Sequence, residues 1–222
     1  MPATLATSGT LCLILSALAA LTYELIPKND FKPRWTIAAI KGTAVGALAL
    51  SALLNLSNPL ITAGLFLGAI GDIALTRPGQ HAFLSGMAAF ALGHLAYTAA
   101  FLPHLTAPNA SQIAVLVVLV LLLASTEIWL TPHTGTLRTP IRSYVAVIGL
   151  MAISATVLLP GPARETIQLG ALLFVLSDLL LALRLFRAHS PRSKSLLALT
   201  LWPAYWLGQA LILLGAMGYS PA

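Results

Sequence analysis

Along this chain, apolar stretches long enough to cross a bilayer alternate with short polar breaks. A membrane-spanning helix needs about 20 mostly apolar residues. Stretches of that kind fall at residues 6–26, 35–54, 59–76, 81–101, 111–131, 142–159, 166–187 and 196–217. The breaks carry turn chemistry: Pro27-Lys28-Asn29-Asp30, Asn55 to Pro59, Arg77-Pro78-Gly79, Pro103 to Asn109, Pro132 to Pro140, Pro160-Gly161-Pro162 and His189-Ser190-Pro191. Links this short make successive helices antiparallel. The pattern predicts an all-α polytopic membrane protein in which residues 1–222 form a single integral membrane domain of eight transmembrane helices.

Composition agrees with the pattern. Hydrophobic residues make up 58% of the chain and charged residues 8%, with a mean hydropathy of +0.90, far from a soluble globular domain. The net charge of +6 does not point to nucleic acid, because the basic residues lie singly in short loops. They report topology. One side of the membrane receives Lys28, Lys32, Arg34, Arg77, Arg138, Arg142, Arg184, Arg187, Arg192 and Lys194, and the other receives Arg164. The positive-inside rule then places both termini outside and the basic loops in the cytoplasm of a cell-membrane protein. Cys12 is the one cysteine and lies in the first apolar stretch, so no disulfide forms within the chain. Ala17-Leu18-Ala19 resembles a signal-peptidase site, but no Lys or Arg precedes it, and the segment reads as a retained helix.

Candidate chemistry lies in the polar residues that interrupt the spans, since ionisable groups at membrane depth are costly and mark functional sites by default. Asp72 sits near the end of the third span. After a four-residue turn, Phe83, Gly86, Phe90, His94 and Tyr97 follow at spacings of three and four, which makes one helical face. At about 1.5 Å of rise per residue, Asp72 comes roughly 7 Å from the cytoplasmic end, Lys41 roughly 9 Å, Asp178 roughly 13 Å, and His94 and Gln209 roughly 20 Å. Glu24 and Glu127 lie nearer that boundary, placed to line an entrance or to pair with cations. This clustering predicts a polar cavity open to the cytoplasmic leaflet. Gly64 with Gly68, Gly42 with Gly46, and Gly86 with Gly93 read as close-packing positions. Trp35, Trp129, Tyr144, Trp202 and Tyr219 fall at span ends and read as interfacial anchors.

The motifs also recur in order. Thr22-Tyr23-Glu24 with Pro27 is matched by Thr126-Glu127 with Pro132, Lys41 by Arg142, Gly71-Asp72-Ile73-Ala74-Leu75 by Ser177-Asp178-Leu179-Leu180-Leu181, and Leu92-Gly93-His94 by Leu207-Gly208-Gln209. This is the pattern of a 4+4 internal pseudo-repeat, whose symmetry axis would run along the membrane normal and set the two aspartates across one cleft.

With these residues assembled, the chain resembles the YhhN family of eight-span membrane proteins, which includes the lysoplasmalogenases. The resemblance rests on Gly71-Asp72-x-x-Leu75, on Phe83-x-x-Gly86-x-x-x-Phe90-x-x-x-His94-x-x-Tyr97, on Gly170-Ala171-Leu172-Leu173-Phe174-x-x-Ser177-Asp178-x-x-Leu181-Ala182, and on Tyr205-x-x-x-Gln209-x-Leu211-Ile212. The family's Lys-Pro pair at the second span is matched in residues by Lys32-Pro33 and in spacing by Lys41-Gly42. The resemblance implies hydrolysis of the vinyl ether bond of a lysoplasmalogen, giving a fatty aldehyde and glycerophosphocholine or glycerophosphoethanolamine. Such cleavage protonates the carbon distal to the ether oxygen and adds water to the oxocarbenium ion, which asks for a carboxylic acid and a carboxylate.

On that reading Asp72 and Asp178 are the catalytic pair, and His94 either assists them or serves as a hydrogen-bonded core histidine. Tyr97, Tyr205, Gln209 and Ser177 would position water or the substrate glycerol, or simply bond between helices. Lys41, Arg77, Arg142 and Arg184 lie where a phospholipid phosphate would sit, with snorkelling topology determinants as the plainer reading of Arg77 and Arg184. One aspartate pairing with Lys41 or Arg142 is the structural alternative. The substrate is a lysophospholipid from the membrane, and no cofactor is implied. With His94 alone well inside a span, a metal centre is not expected. Two other functions use the same residues: a proton-coupled lipid or solute transporter, and an intramembrane aspartyl protease, whose usual Gly-x-Gly-Asp motif lacks its first glycine ahead of Ile70-Gly71-Asp72 and whose Tyr-Asp pair is found nowhere in the chain.

Overall fold

The computed structural model describes residues 3–26, 34–55 and 57–220, with side chains from Thr7 onward. The turn from Pro27 to Asp30 and the pair Lys32-Pro33 lie outside the described residues. Among the described residues eight α-helices follow one another: α1 (Ala3–Leu25), α2 (Arg34–Leu54), α3 (Pro59–Leu75), α4 (Gln80–Phe101), α5 (Ala110–Trp129), α6 (Arg138–Thr156), α7 (Arg164–Phe186) and α8 (Pro191–Gly218). Seven are long and apolar enough to cross a membrane, while α3 is apolar but 17 residues long.

Local chemistry sets several of the ends. The Asn58 side chain accepts from the Leu60 amide, with Pro59 opening α3. Asn109 and Gln112 form a reciprocal capping box at α5. Ser190 accepts from the Ser193 amide ahead of α8, with Pro191 in its first turn. The Ser190 cap and Pro191 explain one departure from the expected spans, since they start α8 at Pro191 instead of residue 196, past the apolar stretch that hydropathy detects. α6 runs Arg138–Thr156 instead of 142–159 and has no side-chain cap at its start.

Packing follows sequence order from α1 to α4 and from α5 to α8; α4 lies on α6, and α8 closes against α1, α2 and α3. Lipid tails are as apolar as leucine, so helices associate through close contact and interhelical hydrogen bonds. Both are present. A Cβ on Gly93 would come 3.1 Å from the Gly64 carbonyl oxygen, and one on Gly208 would come 2.9 Å from that of Gly170. The α3–α4 and α7–α8 pairs therefore each touch backbone to backbone through two glycines. Ser51 Oγ donates to the Gly9 carbonyl at 2.9 Å, and Gln112 and Gln168 both donate to the Thr156 carbonyl, at 2.7 and 2.9 Å.

Two of the expected interfacial anchors prove to be interior. Trp202 is buried and donates its Nε1 hydrogen to the Ala20 carbonyl at 3.1 Å. Tyr144 points into the bundle, toward Asp178. Their nearness to a span end in sequence does not decide the face on which they lie. Trp35, 74% exposed, does stand at the periphery.

Candidate active site

The end of the bundle formed by the close of α1, α3, α5 and α7 and the start of α2, α4, α6 and α8 gathers the intramembrane charges. Asp72, on α3, is 2% exposed and makes an ion pair with Lys41 of α2, Nζ to Oδ1 at 2.6 Å. Lys41 also stands over the rings of Trp202 and Tyr23, at 5.0 and 5.6 Å from their centroids. The second carboxylate oxygen, Oδ2, is buried without a hydrogen-bond partner among the described residues, with Tyr205 of α8 within electrostatic range. The alternative of an aspartate paired with Lys41 thus describes Asp72.

Asp178, on α7, keeps different company. The Tyr144 hydroxyl of α6 donates to its Oδ2 at 2.7 Å. His94 of α4, 1% exposed, stands behind both, with Nε2 at 3.2 Å from the Tyr144 oxygen and 3.7 Å from Asp178 Oδ2. Its Nδ1 is buried without a partner among the described residues, and its ring packs edge-on to Phe174 at 4.5 Å. Three helices thus contribute one carboxylate, one phenol and one imidazole to a single linked group. Phe174 in turn contacts the Tyr205 ring at 5.3 Å, so an aromatic bridge of His94, Phe174 and Tyr205 joins the surroundings of the two aspartates.

The two carboxylates also differ in access. Asp178 is 17% exposed and lines an otherwise apolar groove between α4, α5, α6 and α7, walled by Phe83, Met87, Phe90, Leu122, Ile148 and Leu179, with Tyr144 at its side. Asp72 is not among the residues that line this groove, while the Phe90 ring, which does line it, is held against the place a Gly71 Cβ would take. A lipid chain lying in the groove would meet one carboxylate, Asp178.

The remaining predicted residues separate. Tyr97 and Gln209 are buried and bond each other, the phenol donating to Gln209 Oε1 across α4 and α8. Gln209 Nε2 donates to the Tyr205 hydroxyl at 3.4 Å. Gly68 makes room for this cluster, since a Cβ there would fall 2.6 Å from Gln209 Nε2. Ser177 is buried and returns its hydroxyl to the Phe174 carbonyl of its own helix at 2.7 Å. Arg142, 54% exposed, pairs with Glu127 at 2.9 Å on another face of α5 and α6, apart from Lys41. Among the described residues no group of three His, Cys, Asp or Glu is placed to hold a metal ion.

Tyr144 is the functional candidate that sequence reasoning missed. A signal was present: Ile141, Tyr144, Ile148, Met151 and Ala155 are spaced three and four apart, and its four companions are buried, which assigns the phenol to the inward face of α6.

The profile of the YhhN family matches residues 36–216. This chain belongs to the YhhN family. Among its relatives, the lysoplasmalogenase TMEM86A of Bos taurus is 33% identical over 214 residues, spanning 90% of this chain and 85% of its own. The lysoplasmalogenase TMEM86B of Sus scrofa is 33% identical over 199 residues, 86% of this chain and 79% of its own. The lysoplasmalogenase of Mycobacterium bovis is 30% identical over 154 residues, which is 68% of this chain and 58% of the relative. No solved structure matches the chain. Both aspartates, His94, Tyr144 and the apolar groove fall inside the matched region of the YhhN family.

Proposed function

We propose that this protein is a membrane lysoplasmalogenase, which hydrolyses the vinyl ether bond of a lysoplasmalogen to a fatty aldehyde and glycerophosphocholine or glycerophosphoethanolamine. The observation that carries this reading is the carboxyl of Asp178 on an apolar groove, backed by Tyr144 and His94. The lysoplasmalogenases among its relatives support the same reaction.

In the proposed sequence, Asp178 in its acid form gives its proton to the vinyl carbon distal to the ether oxygen. The alkenyl carbon bonded to oxygen becomes an oxocarbenium ion, and Asp178 is left as a carboxylate beside it. Water adds to that carbon and returns a proton to Asp178, which restores the acid and leaves a hemiacetal. Collapse of the hemiacetal moves its hydroxyl proton to the departing glycerol oxygen and releases the aldehyde. One carboxyl serves as acid and then as base. The Tyr144 hydroxyl fixes Oδ2 and supports the carboxylate as its charge develops, while His94 holds the Tyr144 oxygen in place. Asp72 has a separate duty in this scheme: it fixes Lys41 at the margin of the site.

We assign α3 as the eighth crossing. At about 1.5 Å per residue its 17 residues reach roughly 26 Å, close to a hydrocarbon core of about 30 Å, and it packs between two full-length neighbours, α2 and α4. Eight crossings and the loop charges favour termini outside, with the site in the cytoplasmic half of the cell membrane. The paired glycine contacts favour the internal repeat, since Gly64 and Gly93 in α3–α4 stand as Gly170 and Gly208 do in α7–α8.

Aldehyde release by the detergent-purified protein tests the function. The vinyl ether lysolipid should be cleaved, and the matching alkyl ether and ester left intact. Cleavage of the ester alone would make the protein a different lysophospholipase, and solute flux across vesicles with no product would make it a transporter.

A further inference from the structure

Beside the apolar groove lies a second cavity of about 410 Å³, and its character is the reverse. Arg34 and Lys41 reach it from α2, Arg184 from the last turn of α7 and Lys194 from the first turn of α8. None of the described side chains lining it is acidic. Asp72, which pairs with Lys41, is not among the residues that line it. Four cations around an opening whose described lining carries no acidic side chain repel one another, and an anion in their midst relieves that repulsion.

The cavity shares a wall with the groove. Leu75, Phe83, Leu181 and Leu185 line both. A molecule crossing this shared wall has an apolar chain on the Asp178 side and a negative charge on the arginine side.

We propose that the cationic cavity binds the phosphodiester of the substrate head group, with Arg34 and Arg184 as its principal contacts and Lys194 and Lys41 completing the field. This rests on the function proposed above. Guanidinium groups match phosphate oxygens with two parallel hydrogen bonds, which a lone ammonium cannot do. Lys41 is shared, because the same ammonium that faces the cavity holds Asp72. Arg142 takes no part, being paired with Glu127 elsewhere.

The test compares aldehyde release from a 1-alkenyl-glycerophosphocholine with that from the phosphate-free 1-alkenylglycerol. Wild-type protein should prefer the phosphate-bearing substrate by at least about tenfold in kcat/KM, the size of one charge-assisted contact. In Arg34→Gln/Arg184→Gln that preference should collapse toward one through a rise in KM. Arg34 is exposed and Arg184 half-buried, with one hydrogen bond to the Lys194 carbonyl at 3.2 Å to lose, so an unchanged thermal unfolding profile of the variant accompanies the comparison. Glycerophosphocholine should compete with the lipid in the wild type. Weaker competition by inorganic phosphate ties the site to the head group, and equal competition shows that any phosphate enters; either supports a phosphate site. Equal kcat/KM for the two substrates in the wild type, or a double variant that slows both alike, overturns the proposal. If neither substrate releases aldehyde, the proposed reaction is wrong, and calorimetric binding of glycerophosphocholine to wild type and double variant then decides the site by itself.

Discussion

The phenol of Tyr144 donates to Asp178 at 2.7 Å while its oxygen stands 3.2 Å from His94 Nε2. Asp178 therefore reaches the imidazole chiefly through Tyr144, its own distance to His94 being 3.7 Å. Tyr144→Phe keeps the ring that fills α6 and removes the link. We expect kcat for aldehyde release to fall by about 10- to 100-fold, the loss of one preorganised donor, with KM changed less than about threefold. An unchanged kcat in Tyr144→Phe would show that the hydroxyl has no part in proton transfer.

Lys41 and Asp72 form a buried pair, and breaking it strands a charge. Lys41→Met is expected to cost about 3–5 kcal/mol. Lys41→Met/Asp72→Asn should recover most of that loss, since both charges are then gone. Thermal unfolding in detergent reads the cycle; additive single and double effects would mean that the two side chains do not interact.

Tyr97 and Gln209 satisfy each other inside the bundle. Tyr97→Phe should lower stability by about 0.6–1.7 kcal/mol, the range for hydrogen bonds between membrane helices, and leave kcat within about threefold of wild type. A large fall in kcat with stability intact would instead place the Tyr97 hydroxyl on the substrate.

The α7–α8 contact depends on glycine at position 208. A Cβ there would come 2.9 Å from the Gly170 carbonyl oxygen and 3.1 Å from the Phe174 amide nitrogen, so Gly208→Ala pushes apart the helix that carries Asp178. A cost of about 1–3 kcal/mol is expected. Gly46→Ala is the control, since nothing lies within 4 Å of its added carbon, and its stability should stay within about 0.5 kcal/mol or rise slightly. The two variants melting together would show that the close approach contributes nothing.

The sequence carried much of this arrangement because membrane chemistry is restrictive. Long apolar runs can only be helices, and charges such as Asp72, Lys41 and Asp178 must turn inward and toward one end. Partner choice was harder to read. Lys41 lies about nine turns of helix along the chain from Asp72, and nothing in the spacing says that it meets that aspartate instead of Asp178. Arg142 occupies the repeat position equivalent to Lys41 yet bonds Glu127, because the outward face of α6 carries it away. Tyr144 and Trp202 were masked by position, since an aromatic near a span end has the same sequence signature whether it faces headgroups or the interior. The cationic cavity was scattered over Arg34, Arg184 and Lys194, which only the packing of α2, α7 and α8 brings together.

The assignment of Asp178 as the proton-transfer group is tested most directly by Asp178→Asn, which keeps the size of the side chain and removes its titrating oxygen. With lysoplasmalogen as substrate, kcat for aldehyde release should fall by about 10²- to 10⁴-fold, and folding and glycerophosphocholine binding should persist. An Asp178→Asn protein that keeps more than about a tenth of wild-type kcat would contradict the assignment.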